Sequence, residues 1–112
     1  VDYIRLLQQR AEFIAAVDRE AADVDALILP TLAMTAPPIA AFAKDDDFWR
    51  LNAKILRNPA FINFMDRCAL TLPIEPPGEA PVGLMVVGRH GDDRHLLAMG
   101  QGIEALLERS RR

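Results

Sequence analysis

The stretch EAPVGLMVVGRHGDDRHLL, residues 79–97, decides how the rest of the chain is read. PVGLMVVG (81–88) is a short, continuous apolar run of strand length, bounded by proline on one side and glycine on the other. Such a run is what a strand covered on both faces requires. A polar turn follows, and Asp92 or Asp93 then caps a helix whose apolar face is Leu96, Leu97, Met99, Ile103, Leu106 and Leu107. A strand ending in glycine before a capped helix is a common frame for a ligand site. The flanking sequence determines whether this stretch is such a site or only the wall of one.

Working outward, DVDALILPT (23–31) repeats the strand signal. Ala26 to Leu29 form an apolar run bounded by Asp25 and Pro30, which predicts a strand buried on both faces in a parallel or mixed sheet. Pro30 ends it, having no N–H for the next ladder bond. ALTLPI (69–74) predicts a third strand, and EPPGEA the loop between it and PVGLMVVG.

The helices come from the other period. Ile4, Leu7, Ala11, Ile14 and Val17 recur at helical spacing and predict a helix over 3–22. KDDDFWRLNAKILRN (44–58) opens with three aspartates, which suit a cap and first turn, and predicts a second helix. Asn58-Pro59 reads as a break and restart, with a further helix over 59–68 carrying Phe61, Ile62, Phe64 and Met65 and buried nearly all round. LAMTAPPIAAFA (32–43) is apolar but broken by proline, hence a loop lying on other protein. The expected order is α-β-α-α-β-β-α, an α/β unit of mixed β-sheet strands flanked by helices.

The bulk numbers bound the function. The chain has 112 residues, half of them apolar and 26% charged, with a net charge of -3. That balance excludes global disorder, and the absence of a basic face with interleaved aromatics argues against nucleic acid as a partner. The closing RSRR suits the C-terminus of a helix, where the macrodipole favours positive charge. One cysteine, Cys68, rules out an internal disulfide and fits a reducing compartment. No apolar run is long enough to span a membrane and no secretory-type leader opens the chain, so a cytoplasmic setting is expected. The first residue is Val1 rather than methionine, which suggests that the chain does not start at a natural beginning. Three strands and four helices, two elements of them apolar on every side, are more than 112 residues can bury. The sequence reads as a single partial domain, 1–112, cut from a larger body.

That body has a known counterpart. DALILPT, then NFMDRCALTLP with Asn63 and Pro73 ten residues apart, then APVGLMVVGRHGDDRHLLAMGQGIE resemble the C-terminal part of the amidase signature enzymes. Asp25, Leu27, Pro30 and Thr31 stand at the first motif. Pro81, Val82, Gly83, Leu84 and Gly88 stand at the third, and Leu96, Leu97 and Glu104 at the last. Asp66, Cys68 and Met85 stand where the family often has glycine, proline and glutamine, and Thr71 keeps a hydroxyl at the serine position. The resemblance implies the C-terminal portion of the amidase fold and, for the whole enzyme, hydrolysis of a small carboxamide with no cofactor. It also implies a relay of a nucleophilic serine, a second serine held by a cis peptide, and a lysine. None of these is expected here: the only serine is Ser110 in the tail, and Lys44 and Lys54 have no serine near them. The chain is therefore expected to contribute no catalytic residue and to be inactive alone. Thr31 and Met34, in the loop after the first strand, are the substrate-side candidates by this resemblance, against the alternative that the loop is packed only for stability.

Other constellations read as structure. His90, Asp92, Asp93 and His95 match no standard zinc spacing and read as a turn plus a cap, so no metal is expected. Asp45, Asp46 and Asp47 lack the alternating pattern of a calcium loop. Gly83 and Gly88 form no phosphate loop, and Cys68 reads as packing rather than a nucleophile. The expected partner is the missing N-terminal amidase region, or a second copy meeting the apolar faces left open. The rival readings are a non-catalytic interaction module or split half, and an enzyme with a new site around His90, Asp92 and His95.

Overall fold

A computed structural model describes residues 2–111; Val1 and Arg112, the latter part of the expected tail charge, lie outside the described residues. The elements are α1 (Asp2–Glu20), β1 (Leu27–Pro30), a 3-10 turn (Ile39–Phe42), α2 (Asp45–Phe64), β2 (Ala69–Pro73), β3 (Gly83–Val87) and α3 (Asp93–Ser110). The sheet order is β1-β3-β2, and both pairs are antiparallel.

β3 is the strand read first, and it holds the centre. Its side chains alternate between two cores, because successive residues on a strand face opposite ways. Met85 and Val87 pack with Ile62 and Met65 of α2, joined by Val17 of α1 and by Leu27 and Leu29. Val86 packs with Leu72 and Leu96, joined by Cys68, Leu70 and the α3 residues Met99, Ile103 and Leu107. Helices therefore flank the sheet on both faces, as the α/β reading expects. α3 comes in close because position 100 is glycine: a Cβ there would lie 2.7 Å from Leu70 Cδ2.

Several local expectations are corrected. Asn58-Pro59 does not break the helix; α2 runs through it, with Pro59 inside. Proline costs the helix the N–H that Ile55's carbonyl would accept. Asn58, read as a cap, instead donates from Nδ2 to the carbonyl of Pro30 at 2.7 Å. The end of α2 is not buried all round, since Phe61 and Phe64 stay about half exposed. β1 is an edge strand rather than one covered on both faces, and Ile28 is 68% exposed. The α3 face is Leu96, Met99, Gly100, Ile103 and Leu107, whereas Leu97 and Leu106 point to solvent. Asp92 occupies the N-cap position, but its side chain makes no capping hydrogen bond. The proline-broken loop lies on other protein only in part: Phe42 packs edge-on to Phe48 of α2, with ring centroids 6.2 Å apart, whereas Ile39 is 92% exposed.

α2 ends in a turn that its sequence does not advertise. Asp66 has φ 59°, the left-handed region that glycine favours. Its N–H donates to Asn63 O and that of Arg67 to Ile62 O, the paired bonds of a Schellman ending.

The molecule is open. Its accessible surface is 8432 Å², whereas a folded 12.4 kDa chain has about 6,100 Å². Its radius of gyration is 17.0 Å against about 13 Å for a compact chain of this length. Much of the surplus is apolar: α1 buries no residue, and Tyr3, Ile4 and Leu6 are each more than 60% exposed. No helix among the described residues is long and apolar enough to cross a membrane.

Candidate substrate-side wall

The antiparallel order puts the end of β1, the end of β2 and the start of β3 together at one edge of the sheet. Thr31 N–H donates to Gly83 O at 2.8 Å, so the ladder runs one residue past β1. Its side chain then lies over β3, where Thr31 Oγ1 donates to Thr71 Oγ1 of β2 at 3.1 Å. The two threonines bridge the first residue of the central strand. That residue must be glycine: a Cβ at Gly83 would lie 2.6 Å from both Thr31 Oγ1 and Thr71 Cγ2. The glycine of the PVG motif is thus explained by close approach from both sides.

Prolines end both edge strands at this same edge. Neither supplies an N–H, and the carbonyls of Pro30 and Pro73 face away from β3. Asn58 of α2 takes the first at 2.7 Å, and Arg111 Nη2, just beyond α3, takes the second at 2.7 Å. Both prolines are exposed, and each outward carbonyl is met by a side chain from a flanking helix region.

The loop from β2 to β3 is pinned by Glu75. Its Oε2 accepts the N–H of Val82 at 3.1 Å, while Ile74 N–H donates to Val82 O. Hydrogen bonds from its own N–H and that of Val82 hold the Glu75 carboxyl below the usual range, and the positive charge of Arg111 adds to this.

Thr31 and Met34 both face this edge, but the structure does not bring them into one depression. Met34 lines a depression of about 190 Å³ with Leu32, Thr35, Pro81, Val82 and Gly83. Thr31 lines a neighbouring one of about 300 Å³ that includes Leu32, Thr71, Glu75 and Val82. Leu32, Pro81, Val82 and Gly83 are shared between them. On the far side of the threonine pair, Thr31 and Thr71 also border a depression of about 270 Å³ with Ile62, Asn63 and Arg67. The walls are mainly apolar with a few hydroxyl and amide groups, the make-up of surfaces that orient small molecules. Sequence reasoning missed Glu75 and Arg111. The signal for Glu75 was its place two residues after the strand, at the start of the EPPGEA loop.

The remaining constellations are apart from this edge. His90 Nδ1 lies 2.6 Å from Asp66 O, and His95 is exposed on α3. Among the described residues no group of three His, Cys, Asp or Glu side chains converges as a metal site would need. Cys68 is half-buried, with its thiol donating to Arg89 O at 3.0 Å and lying against Gly88. Ser110 Oγ donates to Leu107 O at 2.8 Å, three residues back in the last turn of α3.

Comparison with known proteins gives the sequence a family. The family model described as Amidase matches residues 1–97. The chain is 32% identical over 108 residues to a 2-amino-5-chloromuconic acid deaminase of Comamonas testosteroni, covering 96% of this chain and 23% of that protein. It is 34% identical over 95 residues to an uncharacterized protein in the nthA 5' region of Rhodococcus erythropolis, covering 82% and 47%. It is 26% identical over 113 residues to the putative amidase AmiD of Mycobacterium tuberculosis, covering 100% and 24%. The chain thus spans about a quarter of the length of the deaminase and of AmiD, and about half that of the Rhodococcus protein. No solved structure matches it significantly. Most of the chain, from the first residue of α1 into α3, follows one family model, and the chain belongs to the amidase family.

Proposed function

We propose that these residues form the C-terminal segment of an amidase-type hydrolase that cleaves carboxamide bonds, and that they wall the substrate pocket while the chemistry is done elsewhere. The observation that carries this is the threonine bridge over Gly83 in a chain of the amidase family, flanked by open depressions lined by Leu32, Met34 and Val82. In the whole enzyme a serine would attack the amide carbonyl, backbone N–H groups would hold the oxyanion, and the amine or ammonia would leave before water releases the acid. No residue of this chain is given a step in that sequence. Thr31 and Met34 would set the fit of the acyl portion. The substrate is a small amide, no cofactor is needed, and the setting is cytoplasmic. One relative is named as a deaminase, which agrees with release of nitrogen from a small acid or amide.

A second reading is a split half that pairs with a separate amidase partner. The surplus of about 2,300 Å² of surface favours it, since one side of a permanent interface buries roughly 1,000–2,500 Å². Both readings make residues 1–112 a complement to a catalytic body.

The test exchanges the matching quarter of the Comamonas deaminase for residues 1–112 and follows deamination. Thr31→Val and Met34→Ala in that chimera are expected to raise KM severalfold with kcat little changed, as loss of uniform binding does. Unchanged KM and selectivity in both variants would remove the pocket-wall role.

A further inference from the structure

Part of the apolar surface left bare after folding lies on α1, where Tyr3, Ile4, Leu6 and Leu7 are exposed. Tyr3, Leu6, Leu7, Arg10 and Phe13 of this helix and Phe64 at the end of α2 line an open apolar groove of about 470 Å³. One wall is fixed in place. Arg10 Nε donates to Phe64 O at 2.8 Å, Phe13 packs edge-on to Phe61 with ring centroids 6.1 Å apart, and Arg67 pairs with Asp18 at 2.6 Å. Helices of this length draw most of their stability from packing an apolar face, yet residues 2–9 of α1 are all exposed.

We propose that this groove is the seat of the amidase body, the part of the family fold that bears the nucleophilic serine, whether that body is joined to this chain or separate. The proposal rests on the reading that the chain complements such a body, and it adds the surface that does so. Three observations select this occupant. The family match takes in the whole of α1, so the helix is part of the amidase domain rather than an appendage. The deaminase and AmiD match nearly all of this chain with only about a quarter of their own length, which leaves a body three times its size to be packed against. Ile28 on β1 and Ile39 in the 3-10 turn are exposed as well, which is more apolar surface than a single helix would cover. A second copy seated on α1 is the competing occupant.

The test compares one substitution in two settings. Leu6→Asp is 61% exposed in the isolated chain and sits in the first turns of α1, where a carboxylate suits the helix dipole. It should leave the circular dichroism and thermal midpoint of residues 1–112 unchanged. In the chimera with the Comamonas deaminase it should lower soluble yield and activity at least about tenfold, because a buried unpaired carboxylate costs more than the 1.4 kcal/mol that tenfold represents. Leu106→Asp, also exposed but on α3, is the control. A Leu6→Asp chimera as soluble and active as the unmodified one would overturn the proposal. Sedimentation of the isolated chain supplies the second measurement: a homodimer dissolved by Leu6→Asp would assign the groove to a second copy and overturn it as well. An unmodified chimera that does not fold would instead defeat the underlying reading that the chain complements an amidase body, and the groove proposal would fall with it.

Discussion

Asp66 holds a left-handed backbone angle without being glycine. The left-handed turn at the end of α2 is the geometry glycine favours, and this chain meets it with an aspartate whose carboxylate pairs with Arg10 at 3.3 Å. Asp66→Gly and Asp66→Ala both lose that exposed pair, but only alanine meets the full left-handed penalty. Gly should therefore exceed Ala in stability by about 1 kcal/mol in urea unfolding. Equal midpoints would mean that the turn relaxes. Gly83 is the opposite case, constrained by space rather than angle. Gly83→Ala should cost about 1–3 kcal/mol by overpacking, and adding Thr71→Ser, which removes one contacting methyl, should recover part of that loss. Glu75 supplies the pH dependence. Its folded pKa is depressed, so its contribution is present above the ordinary carboxylate range and is lost as pH falls through the depressed value. Hydrogen exchange at the Val82 amide should quicken in that acid window in the parent chain and show no such step in Glu75→Gln.

At the scale of elements, the strands were legible and the helix boundaries less so. PVGLMVVG read as a strand covered on both faces because its neighbours lie on both sides, and β3 is the central strand. DALIL carries the same apolar run yet forms an edge strand, since local composition does not record what is absent from one side. Asn58-Pro59 was misread for a physical reason. As a dipeptide it is a good cap and first helical position, but here Asn58 satisfies the outward carbonyl of Pro30, 28 residues away. Only the tertiary fold reveals that partner. Asn58→Ala should therefore cost about 1 kcal/mol without shortening α2, the net value of one such hydrogen bond. Loss of helical signal on that substitution would restore the capping role. The candidate wall was half legible: Thr31 and Met34 came from motif resemblance, whereas their separation into adjoining depressions, and the pinning of the loop by Glu75, needed the fold.

For the whole molecule, the arithmetic of surface governs. A chain of this mass leaves about 2,300 Å² more surface than a compact protein, and no residue of α1 is buried, which is the observation behind the proposed complement. In the proposed account that complement is an amidase body, and the chain's membership of the amidase family is its basis. The most direct measurement of this account is ammonia release by purified residues 1–112, from small carboxamides and from 2-amino-5-chloromuconic acid, run beside the chimera that carries them on the Comamonas deaminase with the latter substrate. The account predicts turnover by the chimera and none above the uncatalysed rate by the 112 residues alone. Robust amide hydrolysis by the isolated chain would contradict it.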